Sequence, residues 1–105
     1  MSTGDSQQRR RDVRRSALFQ TQAMLIQPHA ARFEQQISSL EFAVGRAAEL
    51  WPSIPNTSLR VIKTDPFPGA PRLRVYFTID DDLYCTLQQI EQLEGPVDPD
   101  DIHLG

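Results

Sequence analysis

Residues 72–93 read RLRVYFTIDDDLYCTLQQIEQL, and this segment constrains the fold more than any other. Leu73, Val75, Phe77 and Ile79 alternate with Arg72, Arg74, Tyr76 and Thr78, the period-two pattern of a strand with one buried face. After Asp80, Asp81 and Asp82, the alternation resumes with Leu83, Cys85 and Leu87 against Tyr84, Thr86 and Gln88. Two such runs joined by a short polar link predict a hairpin. A three-residue loop over the aspartates sets Ile79 opposite Leu83, Phe77 opposite Cys85 and Val75 opposite Leu87. A two-residue loop would mix the faces, which burial forbids. A further strand is predicted at residues 59–64 (LRVIKT), joined to the hairpin by DPFPGAP with its three prolines and one glycine.

Upstream the period changes. Phe33, Ile37, Leu40, Val44, Ala47 or Ala48, and Trp51 recur every three or four residues and lie on one face of a helix. Pro28 suits the first helical turn, and Pro52 ends the helix because the residue before a proline avoids the α region. Gly45, inside the helix, marks a close approach to the sheet. SIPNTS, residues 53–58, is a turn-rich link. Residues 9–26 fit either a helix or a strand. Val13, Ala17, Leu18 and Leu25 roughly suit a helix, yet Gln20, Thr21 and Gln22 interrupt a wide helical stripe, so LFQTQAMLI is read as a first strand.

The expected fold class is α+β: a small single domain with one long helix, or two, packed on a three- to four-stranded, mainly antiparallel sheet. The domain is expected over residues 16–94, between a flexible basic arm at 1–15 and an acidic flexible tail at 95–105. A length of 105 residues fits one domain. Apolar runs reach about four residues, far short of the roughly 20 that a membrane span needs. The arginine cluster RRRDVRR is not followed by a secretory apolar core or a cleavage site, and cytoplasmic residence is expected. Cys85 is the only cysteine, so no internal disulfide and no cysteine metal cage can form.

Net charge is −3, unevenly spread: residues 1–32 carry +4 and residues 33–105 carry −7. The overall acidity argues against a generic nucleic-acid coat, which needs a broad positive field. The basic arm suits phosphates or an acidic partner, and in the simpler reading is a solvated tail. On the polar face of the strands, Arg72, Arg74, Tyr76 and Tyr84, with Arg60 from the neighbouring strand, form a candidate macromolecule-binding face. Arginine and tyrosine on a rigid sheet grip phosphates and stack on bases, and the plainer alternative is a solvent face with cross-strand packing. The three aspartates lack the spaced ligands of a calcium loop and read as a solvated turn. His29 and His103 sit in no ligand motif. No phosphate loop, nucleophile elbow, zinc spacing or dinucleotide fingerprint is present. No catalytic residue is assigned, and no cofactor or metal is expected.

A helix-rich half followed by LRVIKTDPFPGAPRLRVYFTIDDDLYCTLQQIEQLE, residues 59–94, resembles the toxins of the RelE/ParE superfamily of bacterial type II toxin–antitoxin modules, and HAARFEQQI, residues 29–37, resembles that family's helix after its first strand. The resemblance implies a compact βα(α)βββ fold, a macromolecular target (messenger RNA on the ribosome or DNA gyrase), and neutralisation by an antitoxin protein. It places Arg60, Arg72, Arg74 and Tyr76 on the sheet where ribonuclease members keep basic and aromatic residues. This chain is acidic and ends in EQLEGPVDPDDIHLG, which departs from the basic ribosome-dependent type. Two other readings stand beside it: a non-enzymatic protein-interaction module, and an acidic protein that mimics nucleic acid.

Overall fold

The computed structural model describes residues 10–30, 32–64 and 72–93. It contains strand β1 (Asp12–Arg15), helix α1 (Ala17–Ile26), helix α2 (Phe33–Ala47), and strands β2 (Arg60–Lys63), β3 (Leu73–Ile79) and β4 (Tyr84–Gln92). Single 3-10 turns, Gln27–His29 and Ala48–Leu50, precede and follow α2. The strands form one sheet in the order β1-β4-β3-β2. β3 is antiparallel to both its neighbours, whereas β1 runs parallel to β4. The fold is therefore α+β, with two helices on a four-stranded mixed sheet.

The ambiguous N-terminal segment resolves against the strand reading of its second half. LFQTQAMLI lies in α1, because Ser16 caps that helix: its Oγ accepts from the Phe19 N–H at 3.0 Å. Phe19, Ala23 and Ile26 then recur on one side and join the core. The strand lies in the arginine-rich half instead, where Asp12–Arg15 pairs with residues 84–87. These four residues, expected in a flexible arm, are an edge of the sheet. An edge strand tolerates arginines because every second side chain points to solvent, and Arg15 on the inner side finds Glu41 of α2 at 2.7 Å.

Helix α2 buries Phe33, Ile37, Leu40 and Val44, the expected stripe. It stops at Ala47 rather than reaching Trp51. Ala47 leaves helical geometry at φ −151, ψ 53, and the tighter turn that follows still delivers buried Ala48 and partly buried Trp51 to the core. Pro28 falls in the 3-10 turn before the helix, not in the first turn of α2. Gly45 marks the expected close approach: the Arg11 N–H donates to its carbonyl at 2.8 Å.

The hairpin has a three-residue loop, but one residue later than expected. The Asp80 N–H donates to the Tyr84 carbonyl at 2.9 Å, so Asp81, Asp82 and Leu83 turn the chain. Ile79 therefore faces Cys85 and Phe77 faces Leu87, not Leu83 and Cys85. The Asp81 carboxylate fixes this choice by accepting from the N–H groups of Leu83 and Tyr84 at 2.7 and 2.9 Å. The shift of two residues keeps each side chain on its expected face.

Further along, Phe77 pairs with Leu87 but Tyr76 pairs with Gln89, leaving Gln88 as a β-bulge. Without it, strict alternation would turn Glu91 inward and Ile90 out. With it, Ile90 is buried and Glu91 faces Arg74. Residues around α1 satisfy the main chain that the bulge and the end of β1 expose. Ser16 Oγ donates to the Gln88 carbonyl at 3.0 Å, and Gln22 Oε1 accepts from the Ile90 N–H at 2.8 Å.

Candidate functional site: the open face of the sheet

Both helices contribute to one core with Ile62, Leu73, Val75, Phe77, Cys85, Leu87 and Ile90. That core takes one face of the sheet. Paired residues on neighbouring strands share a face, so the register assigns the opposite one: Asp12 and Arg14 from β1, Tyr84, Thr86, Gln89 and Glu91 from β4, Arg74, Tyr76 and Thr78 from β3, and Val61 and Lys63 from β2.

The predicted site residues divide. Arg74, Tyr76 and Tyr84 are brought together on this open face. Arg60 is not: it pairs with Phe77, which puts it on the helix side. There its Nη1 donates to the carbonyls of Trp51 and Glu49 at 2.7 and 3.3 Å, tying β2 to the end of the helical segment. One-residue alternation is why: Ile62 is buried, and Arg60, two residues away, must share its side. Arg72 precedes β3 and is half-buried, and its carbonyl accepts from the Leu93 N–H at 2.9 Å.

Glu91, absent from the predicted face, organises it. One oxygen, Oε2, accepts from Arg74 Nε at 2.7 Å and from the Tyr76 hydroxyl at 2.9 Å. The Arg74 hydrogen bond, followed by that of Tyr76, holds the Glu91 carboxyl below its usual range. Desolvation, then the bond to Glu91, pushes the Tyr76 phenol up, so it remains a donor. The sequence signal for this cluster is the spacing of Cys85, Leu87 and Ile90, two residues and then three, which announces a bulge and puts Glu91 opposite Arg74.

A second cluster forms at the β1 side. Arg14 stacks 3.9 Å from the Tyr84 ring centre, with its Nη2 3.6 Å from Asp80 Oδ2. Asp80 also accepts from the Thr78 hydroxyl at 2.8 Å and from the Thr86 hydroxyl, and Gln88 Nε2 donates to Thr78 Oγ1 at 3.1 Å. Asp80 and Asp81 are thus engaged with their own hairpin. Among the described residues, no group of three or more His, Cys, Asp or Glu could hold a metal ion. His29 falls in the 3-10 turn before α2; His103 and the acidic tail lie outside the described residues. Burial pushes the Cys85 thiol up, which suits a packing residue and not a thiolate nucleophile. The open face thus offers aromatic rings, hydroxyls and amides, with its charges largely engaged among themselves.

Residue-by-residue reading missed a second surface. Helix α1 carries no ionisable side chain and is apolar on both sides. Phe19 and Ala23 are buried, while Leu18, Met24 and Leu25 remain 51, 72 and 72% exposed. Large apolar side chains on the outward side of a helix are normally covered by another surface. No helix in the described residues is long and apolar enough to cross a membrane. Compared with models of known families, with curated proteins and with solved structures, the chain gives no match in any of the three.

Proposed function

We propose that this chain is a protein-binding module of RelE/ParE-like arrangement, and that an antitoxin-like protein partner seats apolar side chains on the outward face of α1. The observation that carries this reading is the exposure of Leu18, Met24 and Leu25 on a helix without a single charge. Such a face gives a phosphate no cation to pair with, and large exposed apolar side chains grouped on one helix mark a protein contact. The order of elements, strand, two helices, three strands, supports the family-like arrangement. The test places a photo-cross-linking amino acid at position 25 of the full chain in cells, and again at exposed Ser38 of α2. A discrete protein adduct from position 25, absent from position 38 and lost with Leu18→Glu, supports the reading. Adducts equally frequent from both positions overturn it.

A second reading is favoured by the paired Arg14–Tyr84 and Arg74–Tyr76 clusters on the sheet face that no described helix covers: a toxin that binds gyrase or the translation machinery there. Its test is growth after controlled induction of the parent and of Arg74→Ala/Tyr76→Ala, at matched soluble levels and matched circular dichroism. Arrest by the parent alone supports it; equal growth with both refutes it.

A further inference from the structure

Helix α1 carries no charged side chain, whereas β1, α2, β2, β3 and β4 each carry at least one. Helical geometry fixes how its exposed residues are arranged. At about 100° per residue, Leu18, Leu25, Thr21, Ala17 and Met24 follow one another across an arc of roughly 120°. Phe19 and Ala23 lie on the far side of the helix, where they are buried. Ala17 and Thr21 are exposed like the three larger residues, so the arc is one outward face with Thr21 at its middle. Leu18 and Met24 stand three residues to either side of Thr21, on opposite borders of the face, and Ala17 and Leu25 stand four to either side, again on opposite borders. A twofold axis through Thr21 therefore lays Leu18 against Met24 of a second copy, Ala17 against its Leu25, and Thr21 against its Thr21. A small side chain meets a large one, two flexible ones meet each other, and the smallest contact falls on the axis. The face is its own complement, as an isologous interface requires.

We propose that two copies of this chain pair through their α1 helices, antiparallel about Thr21. The electrostatics favour a second copy: the chain carries −3 overall, yet this pairing brings no like charges together on the two helices and sets opposite dipole ends side by side. The area fixes the strength. The outward side chains offer on the order of 400 Å² per copy, about half of the roughly 800 Å² per partner in a standard interface. The pair is therefore weak and reversible, and the face can exchange its second copy for another protein. The inference goes beyond the reading above and does not rest on it. With the photo-cross-linking amino acid at position 25, an adduct of twice the chain's mass reports self-pairing, and an adduct of any other mass reports the partner.

Sedimentation equilibrium of the full chain tests this. Between about 10 μM and about 1 mM the weight-average mass is expected to climb from one chain toward two, with its midpoint in that range. Leu18→Lys and Met24→Glu should each raise the midpoint at least about tenfold, although the first brings the net charge closer to zero. An equimolar mixture of the two should restore association, because the new lysine then meets the new glutamate while the remaining Leu18 and Met24 keep each other. Ser38→Lys, on the exposed side of α2, should leave the midpoint unchanged. Circular dichroism melting confirms that the variants, altered at exposed positions, stay folded. A mass that stays at one chain up to about 1 mM, or a midpoint that Leu18→Lys and Met24→Glu leave in place, overturns the proposal. A mixture that associates no better than its parts overturns it as well.

Discussion

Replacing Gly45 with alanine sets two well-known effects against each other, and the structure decides the sign. In an exposed helix interior the change stabilises by about 1 kcal/mol, because alanine is the better helix former. At position 45 a Cβ would stand 2.7 Å from the Arg11 carbonyl oxygen and 3.4 Å from Val13 Cγ2. The first distance is far inside contact and involves main chain, which cannot rotate aside. Either α2 or the start of β1 must shift, at a cost of about 1–3 kcal/mol for overpacking. The Arg11 N–H bond to the Gly45 carbonyl, 2.8 Å long, is stretched with it, for about 1 kcal/mol more. The net expectation is a loss of about 1–3 kcal/mol, or roughly 5–15 °C in Tm for a domain of this size. Urea unfolding followed by circular dichroism measures it, with Ser38→Ala on the exposed side of the same helix as a reference that reports propensity alone and raises stability by a few tenths of a kcal/mol. Hydrogen exchange should show β1 losing protection first. If Gly45→Ala is as stable as Ser38→Ala, α2 and β1 do not touch in this way and the placement of the arginine-rich strand is wrong.

Ser16→Ala removes both the cap on Phe19 N–H and the bond to the Gln88 carbonyl, and a loss of about 1–2 kcal/mol in urea unfolding is expected. Glu91 titrates below its usual range when folded, so its contribution is present above the ordinary glutamate value of about 4.3 and is lost as pH falls through the folded value. Glu91→Gln should flatten the acid limb of a stability–pH curve and leave its slope between about pH 6 and about pH 8 unchanged, as thermal melts across pH will show. Cys85, fully buried with its thiol pushed up, should react with a thiol reagent only at the rate of unfolding, so adding about 4 M urea should speed labelling by orders of magnitude.

The strands that could be read from sequence are those whose two faces differ. Leu73, Val75 and Phe77 against Arg74, Tyr76 and Thr78 leave one orientation, and the structure adopts it. The register could not be read as firmly. Shifting the partner by two residues preserves every face, so the apolar pattern is blind to it. The choice rests on the Asp81 carboxylate and its two main-chain donors, a local geometry that alternation does not encode. The same blindness explains Arg60, assigned outward by its charge although Ile62, two residues on, commits it inward. For α1 the interruption by Gln20, Thr21 and Gln22 argued against a helix, but Gln22 is there to hold the Ile90 N–H. A polar residue placed to satisfy a sheet edge looks, in sequence, like a break in an apolar stripe.

The candidate site was legible in part for a related reason. Arg74, Tyr76 and Tyr84 were recognisable as a face because each belongs to an alternating strand. What that face offers depends on Glu91, and Glu91 reaches it only through the bulge at Gln88. Once Glu91 takes the donors of Arg74 and Tyr76, the face's most conspicuous cation is already engaged, and an incoming phosphate must displace a carboxylate bonded to it at 2.7 Å. A charge-assisted bond of that kind contributes about 1.5–3 kcal/mol when desolvated and less at a half-exposed pair such as this one. The displacement is therefore affordable but unrewarded unless the ligand brings more than one anion. Leu18, Met24 and Leu25 on α1 face no such competition and lose only water when covered. A reading led by arginines therefore found the sheet face and missed the exposed apolar side chains of α1, where Gln20, Thr21 and Gln22 break the apolar pattern.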